Sequence, residues 1–425
     1  MADVLGCRRL CLLGGFFQTA SALGAGLAQS STQLIALRAA AGVAASLCLP
    51  STVGVATRVF PASVHPRRRS LAFAAMGGGQ AVGFGIGLAL GGVFADTLGW
   101  RWGFYATTLL NVAVLILGIW ALPPAVDAPL NHAIAKRLRA NVDWIGALII
   151  SAGLALLSYE LAVATASDAS TVMTEPVNIT LLCVACACFP VFYLWVGRQE
   201  RLDRPALIPN SMWSRNGPFV ATSATVFLVW GSLNASEQLT AFYLEDVRGL
   251  STLESSLYFL PAPVCGLLMN AAIGISIPYL RPSFAVPLAC LVSGIAPLLL
   301  ATLCNLSGPA YWGGIFQAMA LNPLGADLMY TIANLMITET FPSQAQALAG
   351  GVFNMLAQIG KSVGIATSAV IARQVTMQIQ GAIPEEALLK GYQAGWWYNC
   401  GLACVSVAIS FWGFRGITKV HMKNE

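Results

Sequence analysis

Charge is what this sequence has least of. Only 10% of its 425 residues are Asp, Glu, Lys or Arg, against about 25% in a soluble domain. So few charged groups do not clothe a water-facing exterior, which excludes an ordinary soluble enzyme. The formal net charge of +5 comes from arginines in loops, so it does not signal a nucleic-acid partner. Histidine is scarcer still. His65, His132 and His421 all sit in polar stretches, which excludes a bis-histidine haem site inside a membrane. Neither an intramembrane histidine nor paired acids at one membrane face marks a membrane-embedded enzyme. Long polar tracts are missing too. The longer connections are 123–142, 197–217 and 373–394, and none has room for a soluble domain. No cleavable signal is evident, because the first apolar stretch is followed by many more.

What remains is apolar. Hydrophobic residues make up 57% of the chain and the mean hydropathy is +0.70. The exterior must face lipid, so the chain is expected to be an all-α, multi-pass membrane protein. About 20 residues per crossing divides it into about twelve spans: 10–29, 33–56, 71–95, 102–122, 144–164, 178–197, 218–242, 254–276, 283–304, 310–337, 345–372 and 396–415. The 41 glycines fit membrane helices, where small residues let backbones approach. Most of the 11 cysteines lie inside apolar runs, as Cys48, Cys183, Cys290 and Cys404 do. There they act as small hydrophobes rather than as metal ligands or disulfides, and no metal or cofactor is expected.

Basic residues set the orientation. With the N-terminus in the cytoplasm, the outer side receives only Arg101, Arg248, Arg373 and Lys390. Arg38 and Lys361 fall within spans, and the inner side collects the rest of the 23. Both termini are therefore expected to be cytoplasmic. Two glycosylation sequons then fall outside, at Asn178 and Asn305. A third, at Asn234, lies inside a span and is a poor acceptor.

Short motifs occur in order along the chain. "ADVLGCRRL" carries Asp3, Gly6, Arg8 and Arg9. "LIALRAAAG" carries Arg38 and Gly42. "GFGIGLALGG" carries Gly83, Gly87, Gly91 and Gly92. "GWRWGFY" and "VDWIGA" follow, and "ALAGGVFNMLAQIGKSVGIA" comes late. Together they resemble the major facilitator superfamily, and within it the 14-helix drug:proton antiporter branch of the fungal toxin and multidrug efflux type. The resemblance covers essentially the whole chain. It departs at Val4 and Cys7, where basic residues are usual, at Ala41 for a usual glutamine and at Leu88 for a usual proline. The first motif resembles the loop after the family's helix 2. The resemblance thus implies a major facilitator bundle that begins after two helices, with a partial N-terminal half at 1–122, a linker region with two extra helices at 123–197 and a six-helix C-terminal half at 198–425.

Polar groups inside spans are costly and usually face an interior. Asn354, Gln358 and Lys361 share one helical face, and Asp327, Tyr330 and Asn334 share another. Counted from the turn near Pro342, Asp327 and Lys361 lie at similar depth. Either they pair or share a proton, or each binds a backbone carbonyl or water. Trp230, Asn234, Glu237 and Gln238 form a further polar face nearer an outer end. Gln80, Gly83, Gly87 and Gly91 recur on one face, which is expected to pack against the C-terminal half. "QIGKS" is not a nucleotide loop, because the position five before Gly360 is Met355. The depth of Asp327 and Lys361 within their spans makes them candidates for proton coupling, and the resemblance adds Arg38. It implies export of a small organic compound (a secondary metabolite, toxin or drug) by proton antiport. It also implies a monomer in the plasma or vacuolar membrane, with protons and lipid as its other partners and no nucleic acid. A non-transporting short form or an uptake facilitator of the same fold stays open.

Overall fold

The computed structural model describes residues 5–61, 64, 66–124, 142–165, 173–214, 217–276, 281–308, 311–340, 343–379 and 383–415; Asp3 lies outside them. The elements are helical throughout: α1 Cys7–Leu27, α2 Ser31–Val59, α3 Pro66–Asp96, α4 Arg101–Ala121, α5 Trp144–Ala164, α6 Pro176–Arg201, α7 Asn210–Ser214, α8 Gly217–Phe242, α9 Thr252–Tyr258, α10 Pro261–Ser276, α11 Pro282–Leu303, α12 Ile315–Leu321, α13 Leu324–Thr340, α14 Ser343–Gln378 and α15 Pro384–Gly413. Among the described residues, ten helices are long and apolar enough to cross a membrane, two fewer than the expected spans. One shortfall is at 310–337, where the chain breaks at Asn322 and Pro323 into α12 and α13. The other is α15, whose hydropathy is lowered by Tyr392, Gln393, Trp396, Trp397, Tyr398 and Asn399.

Several motifs are helix-end devices. Gly6 takes a positive φ of 98° at the entry to α1. Arg8 donates from Nε to the Leu122 carbonyl at 2.8 Å, capping the free carbonyl end of α4. At the opposite end, Arg101 donates to the Ala28 carbonyl at 3.0 Å and the Tyr105 hydroxyl to the Gly26 carbonyl at 3.0 Å. Those bonds clamp α4 onto α1. In "VDWIGA", Asp143 N-caps α5 by accepting from the Gly146 amide at 2.8 Å. It also accepts from Trp195 Nε1 at 3.0 Å, tying α6 to α5.

The helices group by contact. α1 packs on α2 and α4, and α5 pairs with α6 and touches α14. α8, α11, α14 and α15 form the dense centre of the C-terminal part. α3 departs from its neighbours in sequence, meeting α9, α10 and α13 more extensively than α2 or α4. It does so through glycines, but not through the expected ones. Added Cβ atoms at Gly78, Gly85 and Gly92 would meet Leu267, Pro263 and Ser256. A Cβ at Gly83, Gly87 or Gly91 would meet nothing within 4 Å among the described residues. Helical geometry explains the difference. A seven-residue spacing returns to nearly the same side, whereas a four-residue spacing drifts about 40° per step. The seam follows 78, 85 and 92.

Candidate functional site

The site is built where α8 crosses α14. At this crossing backbone meets backbone. A Cβ on Gly231 would stand 3.0 Å from the Gly360 carbonyl oxygen, one on Gly364 would stand 2.5 Å from Gly231 Cα, and one on Gly360 would overlap the Phe227 carbonyl. Gly360 of "QIGKS" is thus a crossing residue. Fixing the helices so tightly also fixes the residues beside the crossing: Trp230, Asn234 and Glu237 of α8, and Asn354, Gln358 and Lys361 of α14. All six line one cavity of about 260 Å³. Asn234 and Asn354 each return a side-chain N–H to the carbonyl four residues back at 2.9 Å. The Trp230 ring meets Phe353 edge-on with centroids 5.8 Å apart.

The broken helix supplies the opposite wall. Asn322 ends α12, and its amide donates to the Leu233 carbonyl at 3.2 Å, while Ser293 of α11 donates to the Asn322 carbonyl. Pro323 has no amide hydrogen to continue the ladder, so α13 starts afresh. Asp327 falls in its first turn, where the helix dipole favours a negative charge. Pro323, Asp327 and Tyr330 all line the cavity, with Gln80 and Phe84 of α3 and Pro263 and Gly266 of α10.

The expected polar residues therefore converge, with three corrections. Arg38 does not join them. It is exposed on α2 and absent from the cavity wall, near the start of its helix, where its long side chain can reach an interface. Asp327 and Lys361, among the described residues, make no ion pair. Glu237 makes no ion pair with Lys361 either, although it lies beside Asn322 and within electrostatic reach of both Lys361 and Asp327. Asn178 lies in the first turn of α6 and is 5% exposed, so it does not offer a loop acceptor for a glycan. Asn305, by contrast, is exposed, and its Oδ1 accepts from the Ser307 amide at 3.0 Å. The side chain of Asn334 lies outside the described residues.

Two groups at the site escaped the sequence reading. Asn322 was signalled by the Asn-Pro dipeptide, a breaker even inside an apolar run. Asn270 of α10, 2% exposed, had no periodic polar partner to mark it. Among the described residues no group of three or more His, Cys, Asp or Glu is placed to hold a metal.

Comparison with known proteins agrees with this architecture. The Major Facilitator Superfamily profile matches residues 1–365. "MFS-type transporter 1" of Pyricularia oryzae is 36% identical, over 99% of this chain and 75% of that protein. "Efflux pump terJ" of Aspergillus terreus is 23% identical, over 100% of this chain and 78% of that protein. The crystal structure of the human organic anion transporter MFSD10 superposes with a TM-score of 0.62 at 17% identity, covering 96% of this chain and 78% of that one.

Proposed function

Because the chain belongs to the Major Facilitator Superfamily, and is thus a multi-pass membrane transport protein rather than an enzyme, we propose that it exports a small organic compound by proton antiport, in the manner of the 14-helix drug:proton branch. The efflux named for the Aspergillus terreus relative supports the direction. The observation that carries the coupling is the charge count of the cavity: two carboxylates, Glu237 and Asp327, face one ammonium, Lys361. In a membrane interior a charge without a partner is expensive. Two acids facing one ammonium leave one carboxylate over, and in this reading it is Asp327. It is neutralised by a proton or by a positive charge on the cargo, and not by both at once. Competition for that place is what antiport requires. The aromatic walls (Phe84, Trp230, Tyr330 and Phe353) suit an amphiphilic, weakly basic or neutral compound.

In this reading the substrate lies between the N-terminal helices, 1–122, and the C-terminal half, 198–425, with the pair in 123–197 peripheral. Both termini are cytoplasmic, the chain works as a monomer in the plasma or vacuolar membrane, and Asn305 is the glycan acceptor.

The test is transport of ethidium into vesicles under a pH gradient. Asp327→Asn is expected to abolish gradient-driven uptake while leaving passive ethidium exchange. Pumping at the wild-type rate would remove Asp327 from the proton path. Lys361→Met should impair transport by leaving Glu237 alone, and Lys361→Met with Glu237→Gln should restore folding better than Lys361→Met with Asp327→Asn.

A further inference from the structure

We propose that the C-terminal end of α6 holds a binding site for the phosphate of an anionic membrane phospholipid. The helix ends at Arg201, and the chain turns back through Asp203, whose φ of 50° is left-handed. The Arg204 amide donates to the Gln199 carbonyl at 3.0 Å, which satisfies part of the open helix end. The turn brings α7 back against α6, where two residues pin it. Asn210 donates from Nδ2 to the Tyr193 carbonyl at 3.2 Å. Glu200 Oε1 accepts from the Ser211 amide at 3.1 Å and from its hydroxyl at 2.8 Å. Between α6 and the returning chain lies a cavity of about 580 Å³, within the range of about 300–1,000 Å³ typical of small-ligand sites.

Arg198 and Arg201 line this cavity, one turn apart on one face of α6. Among the described residues neither side chain makes a hydrogen bond or an ion pair. The acid in the wall, Glu200, is already occupied by Ser211. Two guanidinium groups against one carboxylate leave a surplus of one positive charge, which a phosphodiester matches. The planar guanidinium fork takes phosphate oxygens in pairs, and Asn210 has a second N–H to add. The remaining walls indicate what the phosphate is attached to. Tyr193 and Leu194 are 63% and 69% exposed on a helix long and apolar enough to cross a membrane. From Leu194 an apolar stripe runs along the same face through Val191 and Val184, both 50% exposed, at spacings of three and seven. A phospholipid uses both features, its phosphate at the arginines and an acyl chain along the stripe. In the orientation proposed above this end is cytoplasmic, and the leaflet there carries the anionic lipids.

Native mass spectrometry of the purified chain released from detergent tests this with three probes. They are phosphatidylglycerol, phosphatidylcholine with the same chains, and glycerol 1-phosphate, which has no acyl chain. Phosphatidylglycerol is expected to bind more tightly than phosphatidylcholine. Arg198→Gln and Arg201→Gln should each lower its affinity about fivefold, and together about twenty-fivefold. Glu200→Gln keeps an acceptor for Ser211 and removes the negative charge, so it should raise the affinity. Arg281→Gln, at an exposed arginine before α11 and away from this cavity, should leave it unchanged. If the double variant does not fold, the single variants and Glu200→Gln decide. Equal binding of the two lipids, no loss in the arginine variants, or an equal loss in Arg281→Gln overturns the site. Displacement of phosphatidylglycerol by an equal concentration of glycerol 1-phosphate overturns the lipid assignment and leaves a site for free phosphate compounds. None of these outcomes bears on the role proposed for Asp327.

Discussion

The crossing of α8 and α14 and the outer face of α3 are both rich in glycine, and the two regions use it in opposite ways. At the crossing, Gly231, Gly360 and Gly364 exist because another backbone occupies the place of their side chains. On α3, Gly79, Gly83, Gly87 and Gly91 follow a clean four-residue spacing, yet a Cβ added at any of them would meet no neighbouring helix within 4 Å among the described residues. A third set, Gly77, Gly78, Gly85 and Gly92, is interleaved with these and does face neighbours. Glycine spacing alone therefore does not identify a packed face. What identifies it is agreement between the spacing and the path of the neighbouring helix, which sequence does not give.

The contrast is broken most violently at the crossing. Gly364→Val places a branched side chain onto Gly231 Cα, and the helices must separate along their length. Overpacking alone costs about 1–3 kcal/mol, and loss of the close contact adds to it. The expected outcome is little monodisperse protein on size exclusion in detergent and no ethidium transport from what remains. A well-folded, active Gly364→Val would mean that the crossing is looser than its backbone contacts imply.

A middle case lies where the seam of α3 ends. Asp96 accepts from the Leu253 amide at 3.0 Å, so the end of one helix caps the start of α9 across the contact at Gly92. Ser251 and Glu254 already form a capping box there, which leaves Asp96 a supplementary role. Asp96→Ala is expected to cost about 1 kcal/mol or less. It should speed hydrogen exchange at the Leu253 amide while leaving the amides of α14 unchanged. Equal acceleration in both places would show that the contact of α3 with α9 governs the whole C-terminal part.

The sequence made some of this legible and hid the rest for physical reasons. The span 144–164 was legible as an unbroken apolar run, whereas the cap that Asp143 makes at its start is seen only in the structure. Asn354, Gln358 and Lys361 converge with Trp230 and Glu237 because one face of a straight helix is a matter of spacing. That Asp327 and Lys361 form no ion pair was not legible. The count from Pro342 runs along the unbroken α13 and gives depth, but depth does not say which way each side chain turns around its helix. Asn270 was hidden because the backbone it packs against, at Gly77, lies nearly 200 residues away in the chain. Arg38 fitted a motif, but its exposure depends on what stands beside α2.

The smallest effect is expected at Gly87, and it sharpens the comparison most. Alanine there meets no atom within 4 Å, so no contact opposes it. Alanine also favours the helix over glycine by up to about 1 kcal/mol, because glycine loses more backbone freedom on becoming helical. Gly87→Ala should therefore leave the melting temperature in detergent unchanged or slightly raised. Gly85→Ala, two positions earlier on the packed face, meets the Pro263 ring at 2.7 Å and should lower it. The pair controls for helix propensity, since both substitutions gain the same amount from it. If both variants lose stability, something beyond the described contacts covers the open stripe in the folded protein. If neither does, Pro263 yields easily and the seam of α3 is softer than its glycines suggest.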